Sequence, residues 1–299
     1  MKQYSRAQTR KIAVYLAFIA PALAFFSFFF VYPVLGTFEL SLYRWDGLAP
    51  KVFVGLANLR FLLKDTSRML TALSNTLFIS VVTTITLNVG SLVIALMLAR
   101  DRRLTELYKT LLFLPVVISR VASAIIFGCL LDPSSGFINY LLRAIGLGRL
   151  ALPWLGTPVV SLLVISAIII WGGIGVSMTI YIAGLKAIPT ELTEAADIDG
   201  AGSMRKLRHI TLPLLAPALT VNFCLVFISC LKVFDEPWLI YHATPPRISS
   251  TVSTIIVWEA FSGSQFGVSA AMAVLLFVLT LVLGFGVLFL LRARERRMY

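Results

Sequence analysis

The chain has 299 residues, of which 59% are apolar and only 13% charged, with a net charge of +12 and a mean hydropathy of +0.91. A soluble domain is about half apolar and about a quarter charged, so this chain lacks the polar surface that would cover a water-soluble globule. The composition excludes a disordered chain, a collagen-like fibre and a disulfide-rich secreted module, and it implies an integral membrane protein.

Six apolar runs reach the roughly 20 residues needed to cross a hydrocarbon core. They lie at 12–36, 72–99, 105–131, 158–184, 211–234 and 267–291. The first follows Lys2, Arg6, Arg10 and Lys11 as a signal peptide would, but its apolar stretch is too long and no cleavage region follows Ala22, Leu23 and Ala24. It reads as a retained helix. Inside lipid each span must satisfy its own backbone, and these runs lack the alternation of barrel strands. The expected fold is therefore an all-α membrane protein of six transmembrane helices, flanked by tails at 1–11 and 293–299.

Charge sets the expected orientation. Lys2, Arg6, Arg10, Lys11, Arg100, Arg102, Arg103, Lys109, Lys186, Arg205, Lys206, Arg208, Arg292, Arg294, Arg296 and Arg297 fall on one side, together with both termini. Basic residues collect in cytoplasmic loops, so that side reads as cytoplasmic and the excess charge needs no nucleic-acid partner. The loop 37–71 argues back with Arg44, Lys51, Arg60, Lys64 and Arg68, offset by Glu39, Asp46 and Asp65. On the outer side, 132–157 opens with a Pro-Ser-Ser-Gly turn and continues as an amphipathic run from Phe137 to Ile145, expected as a surface helix.

Three cysteines sit in apolar runs without metal or redox spacing, and His209 and His242 are isolated, so no metal site is expected. Polar residues at membrane depth are Asn75, Asn88, Trp171, Tyr181 and Asn222, which either pack helices or contact a solute. Arg120 lies within the third span and either meets a partner on another helix or lines a pathway. Lys232 can pair with Asp235 or Glu236 if its helix continues. Two such cations leave room for an anionic substrate.

The loop 185–213 carries the most information. Pro189 suits a first helical turn, and Glu191 and Glu194 suit the positive end of a helix. Leu192, Ala195, Ala196 and Asp199 share one face. Gly200 or Gly202 can end that helix in a left-handed conformation, and Ser203 can cap a second short helix bearing Arg205, Lys206 and Arg208. Taken alone, this reads either as a partner-docking element or as a solvated linker touching anionic headgroups.

The order Glu194-Ala195-Ala196, three residues, Gly200, nine residues, Ile210-x-Leu212-Pro213 resembles the EAA signature of permease subunits in binding-protein-dependent ABC importers. Phe53 to Leu59, Ala72 to Thr76, Gly136 to Asn139 and Lys232 to Asp235 are similar to the maltose and glycerol-phosphate subgroup. Met204, Leu207 and Arg208 stand where many relatives carry aromatics, and His242 to Pro246 replaces a glycine-rich stretch. The resemblance covers 12–292 and implies that the EAA loop is a coupling helix docked on a cytoplasmic ATPase.

It further implies a second permease subunit, two ATPase subunits that bind ATP and Mg, and an extracytoplasmic solute-binding protein. The chain itself would need no cofactor, and the solute would be a sugar or polyol entering a prokaryotic cell across its plasma membrane. No Gly-Lys pair occurs, so the sequence holds no P-loop and hydrolysis must come from a partner. A stand-alone secondary transporter or channel would need ion-coupling carboxylates in the spans, and the spans as drawn are read as containing none. An intramembrane protease would need a buried nucleophile and base, and both histidines lie outside the spans.

Overall fold

A computed structural model describes residues 6–64, 66–99 and 104–296. Asp65 and the expected inside cations Lys2, Arg100, Arg102, Arg103 and Arg297 lie outside the described residues. In chain order the elements begin with α1 (Arg6–Phe26), α2 (Tyr32–Leu40), a two-residue hairpin of β1 (Tyr43–Arg44) and β2 (Val52–Phe53), α3 (Ala57–Lys64) and α4 (Thr66–Leu98). Next come α5 (Thr105–Val117), α6 (Arg120–Leu130), α7 (Phe137–Ala144), α8 (Val160–Lys186), α9 (Thr190–Ile198) and α10 (Ser203–Lys206). The chain then forms α11 (Leu212–Leu214), α12 (Ala216–Leu231), α13 (Asp235–Leu239), α14 (Val252–Phe261) and α15 (Phe266–Glu295).

Among the described residues, five helical stretches are long and apolar enough to cross a membrane: Val14–Leu40, Ser67–Leu98, Val160–Lys186, Ala216–Leu239 and Phe266–Glu295. The expected third span differs. It is broken into α5 and α6, bent by 93°, because Ile118 and Ser119 are extended and the Ser119 hydroxyl caps a new helix by accepting from the Ala122 N–H at 3.1 Å. The pair makes a sixth crossing if it is one span. The expected amphipathic run after Gly136 is helical, as α7. The ten-residue α14 was not expected, because its apolar run is too short to register as a span.

Two short π-helical turns have a common cause. Each ends two residues before a proline: Ser27–Val31 before Pro33, and Leu207–Thr211 before Pro213. A proline has no N–H to donate and its ring clashes with the carbonyl four residues back, so the helix takes in one extra residue instead of breaking. Tyr32 accordingly donates to the Ser27 carbonyl, and Leu212 to that of Leu207.

The chain divides into two compact units. The first, residues 1–64 with 256–275, holds α1 to α3, the antiparallel hairpin, the end of α14 and the start of α15. Asn58 anchors it, donating to the carbonyls of Ser41 at 2.9 Å and Tyr43 at 2.8 Å. Gly267 lies so close to Tyr43 that a Cβ would fall 2.0 Å from its carbonyl oxygen.

The second unit, residues 65–255 with 276–299, is built on α4, α8 and α12. In lipid, helices gain nothing from leaving water, so close packing and buried hydrogen bonds hold them together. Ala95, Met178, Tyr181, Ile182 and Leu215 form one buried cluster. Small residues bring backbones together: a Cβ on Gly175 would sit 2.8 Å from the Leu112 carbonyl oxygen, and one on Gly184 would sit 2.7 Å from Leu215 Cδ1 and 2.9 Å from Ala218 Cβ. Asn75 in α4 donates to the Ser250 carbonyl at 2.9 Å, and the Thr76 hydroxyl accepts from the Val252 N–H at 3.0 Å, which ties the start of α14 to α4.

Candidate functional site

The loop between α8 and α12 forms two short limbs. Pro189 stands just before α9 as its N-cap, not within its first turn. After the Asp199 cap, Gly200 adopts φ +73°, with its N–H bonded to the Asp197 carbonyl and the Ala201 N–H bonded to that of Ala196. These two bonds are the Schellman arrangement, which requires a left-handed residue where glycine carries no Cβ penalty. Ser203 is not a cap. Gly202 occupies that position without a side-chain bond, and the second limb does not end but runs through α10, the π turn and α11 into α12.

On this loop Glu194 and Ala195 are exposed and Ala196 is half-buried. Ile198 is 88% exposed and Met204 74%. Ile198 ends α9 and Met204 lies in α10, so this loop presents two large apolar side chains that no described residue covers. Ile210, Leu212 and Pro213 are half-buried and belong to the re-entry of the chain, not to that surface. Lys206 Nζ lies 2.5 Å from Asp197 Oδ1, bracing one limb against the other.

A cavity of about 300 Å³ opens in the same unit between α6, α8, α12 and α13. Arg120, Ser123, Ser177, Asn222, Ser229 and Glu236 supply its polar lining. Of the expected pathway residues, only Arg120 and Asn222 meet there. Asn75 is spent on the backbone at 247–250. Tyr181 is fully buried and donates to Asn88 Oδ1, which also accepts from Asn222 Nδ2 at 3.0 Å, so these three pack α4, α8 and α12 together. Trp171 is 36% exposed and sets its ring edge-on to Phe127, with centroids 5.3 Å apart.

The expected pairing of Lys232 is not what forms. The helix stops at Leu231, so Lys232 becomes its exposed cap and half-buried Asp235 starts α13. Glu236 faces Arg120 instead, its Oε1 lying 3.9 Å from the guanidinium. The reading of the spans as carrying no carboxylate at depth is also corrected. Glu236 lies within the hydrophobic stretch Ala216–Leu239 and is 3% exposed, while Glu106 sits in the first turn of α5. Sequence reasoning ended the span at 234 and missed that helix resumes at 235.

Opposite ends of the unit differ in construction. Asp132 holds a tight turn by accepting from the N–H groups of Ser134 and Ser135 at 2.9 and 2.7 Å, and from both hydroxyls. The Ser135 N–H foremost, followed by these other donors, keeps the Asp132 carboxyl well below the usual carboxylate range. Asn139 follows, 2% exposed, donating to the Leu152 carbonyl at 3.1 Å and accepting from Trp154 Nε1 at 2.8 Å. This segment is folded around a buried amide.

Residues 79–298 match the family described as binding-protein-dependent transport system inner membrane component. Among curated relatives, the probable ABC transporter permease YurN of Bacillus subtilis is 33% identical over 276 residues, covering 91% of this chain and 94% of its own. The lactose transport system permease LacF of Rhizobium radiobacter is 33% identical over 284 residues, 94% of each chain. The trehalose/maltose permease MalF of Thermococcus litoralis is 30% identical over 294 residues, 98% of each. The crystal structure of a bacterial ABC transporter involved in the import of the acidic polysaccharide alginate matches with a TM-score of 0.82 at 25% identity, covering 97% of this chain and 96% of that one. With five apolar crossings, a sixth bent pair and a family match over most of its length, this chain is a multi-pass membrane protein of the binding-protein-dependent transport system inner membrane component family.

Proposed function

We propose that this chain is the permease subunit of an ATP-driven importer for a sugar or related polyol. It forms half of the translocation pathway and does not itself catalyse hydrolysis. Named relatives that handle trehalose and maltose, lactose and arabinooligosaccharides support the solute class. The reading rests above all on one observation: exposed Ile198 at the end of α9 and exposed Met204 in α10 lie on the loop between α8 and α12, two helices that line one cavity.

In this reading Glu194, Ala195, Ala196 and Gly200 form the coupling helix, with Ala195 and Ala196 admitting a close partner surface and Glu194 supplying charge to a cationic or donor group. Ile210, Leu212 and Pro213 carry the displacement into α12. Two ATPase subunits bind ATP and Mg, a second permease completes the cavity, and an extracytoplasmic solute-binding protein delivers the sugar. Both termini and the coupling loop then face the cytoplasm of a prokaryotic cell.

The test is co-purification with the neighbouring subunits, followed by ATP hydrolysis measured with solute-loaded binding protein. Stimulated hydrolysis that Glu194→Ala or Gly200→Val abolishes, with the complex still assembled, is the expected result. Buried Glu236 gives a stand-alone ion-coupled transporter its one supporting observation. Ion-driven uptake in vesicles without any ATPase would favour that alternative.

A further inference from the structure

The cavity between α6, α8, α12 and α13 holds one cation and one anion in its lining, Arg120 and Glu236. Glu236 is 3% exposed, yet its Oε2 has no hydrogen-bond partner among the described residues. A buried carboxylate oxygen without a donor is rare in a folded chain and signals a group that something else is meant to satisfy. The Arg120 side chain is 60% exposed, and its guanidinium lies 3.9 Å from Glu236 Oε1, close enough to neutralise it but too far for a hydrogen bond. Glu236 and the five-donor fork of Arg120 both line this one space, and as an ion pair their charges cancel.

That pairing suits a particular ligand. Each sugar hydroxyl both donates and accepts, so neighbouring hydroxyls can donate to Glu236 and accept from Arg120 together. A carboxylate-bearing sugar would gain Arg120 but meet Glu236 at close range in a poorly hydrated cavity, where like charges repel strongly. Lys232 does not alter the balance, because it caps α12 and is absent from the cavity lining.

We propose that Glu236, set against Arg120, is a specificity-determining acceptor of this half of the pathway and selects an uncharged sugar or polyol over an acidic one. This rests on the importer reading above and names its substrate class. The experiment uses the purified permease–ATPase complex without binding protein, so that only the membrane cavity discriminates. Equilibrium binding of radiolabelled maltotriose and trigalacturonate is measured for the natural chain, E236Q and the charge-balanced double variant R120Q/E236Q.

The natural complex should bind maltotriose in preference. E236Q should move the ratio by roughly tenfold toward trigalacturonate, and the double variant should lose that gain. A natural complex that prefers trigalacturonate or binds neither probe overturns the proposal, as does a ratio unchanged in E236Q. ATP hydrolysis stimulated by loaded binding protein is read from the same preparations. Its absence in the natural complex would sink the importer reading, whereas a normal value with an unmoved ratio would sink only the selectivity of Glu236.

Discussion

Lys206 Nζ and Asp197 Oδ1 lie 2.5 Å apart and join the two limbs of the loop between α8 and α12 across the turn at Gly200. The carboxylate side of the pair is 61% exposed, and such pairs contribute only about 0–1 kcal/mol to stability. Lys206→Ala should therefore leave the unfolding midpoint of the complex nearly unchanged. Its effect should appear as faster amide exchange over residues 190–206 and as weaker solute-stimulated ATP hydrolysis.

Gly200 gives a sharper case. No atom lies within 4 Å of where its Cβ would be, so the penalty of Gly200→Ala comes from the backbone at φ +73° alone. A left-handed alanine costs roughly 1–2 kcal/mol. The complex should assemble at normal yield while stimulated hydrolysis falls several-fold, and Gly200→Asn should recover part of it because asparagine tolerates this conformation.

Asn88 is a test of packing without transport chemistry. Its side chain accepts from Tyr181 and Asn222 and donates to the Thr84 carbonyl at 2.7 Å. Asn88→Leu would leave two buried donors unsatisfied, at about 1–3 kcal/mol. Thermal unfolding in detergent should drop for Asn88→Leu, and the Asn88→Leu/Tyr181→Phe double variant should fall by less than the sum of the two single losses.

Asp132 predicts a pH response. Its folded carboxyl titrates below the ordinary range, so its contribution is complete above the unfolded value near 4 and is lost only as pH falls through the depressed folded value. Protection of the Ser134 and Ser135 amides should persist at pH 4 and vanish at that pH in Asp132→Ala, which has no side-chain acceptor. At Gly136 a Cβ would lie 2.3 Å from the Asp132 carbonyl oxygen, so Gly136→Ala should disrupt the same turn at any pH.

What sequence revealed and what it concealed divide along lines of distance. The cap of α9 at Gly200 and the surface helix at Phe137 were legible because their signals are local: glycines, prolines and spacing within a few residues. The kink at Ser119 and the π turns had local signals too, in Ser119, Pro33 and Pro213, but a hydropathy window averages over them. Tyr181 and Asn222 stayed open between helix packing and solute contact because the residue they share, Asn88, lies 93 and 134 positions away. Glu236 was hidden for a related reason. Its partner Arg120 is remote in sequence, and the break at Lys232 made the fifth crossing look finished.

The contact of Gly184 with Leu215 and Ala218 has a mechanical outcome. The stems of the loop between α8 and α12 touch directly beneath it, so they form a close-set fork. Under the proposed importer function, a stroke delivered to α9 would displace α8 and α12 in phase, shifting both sides of the cavity that holds Asn222 and Ser177 at once.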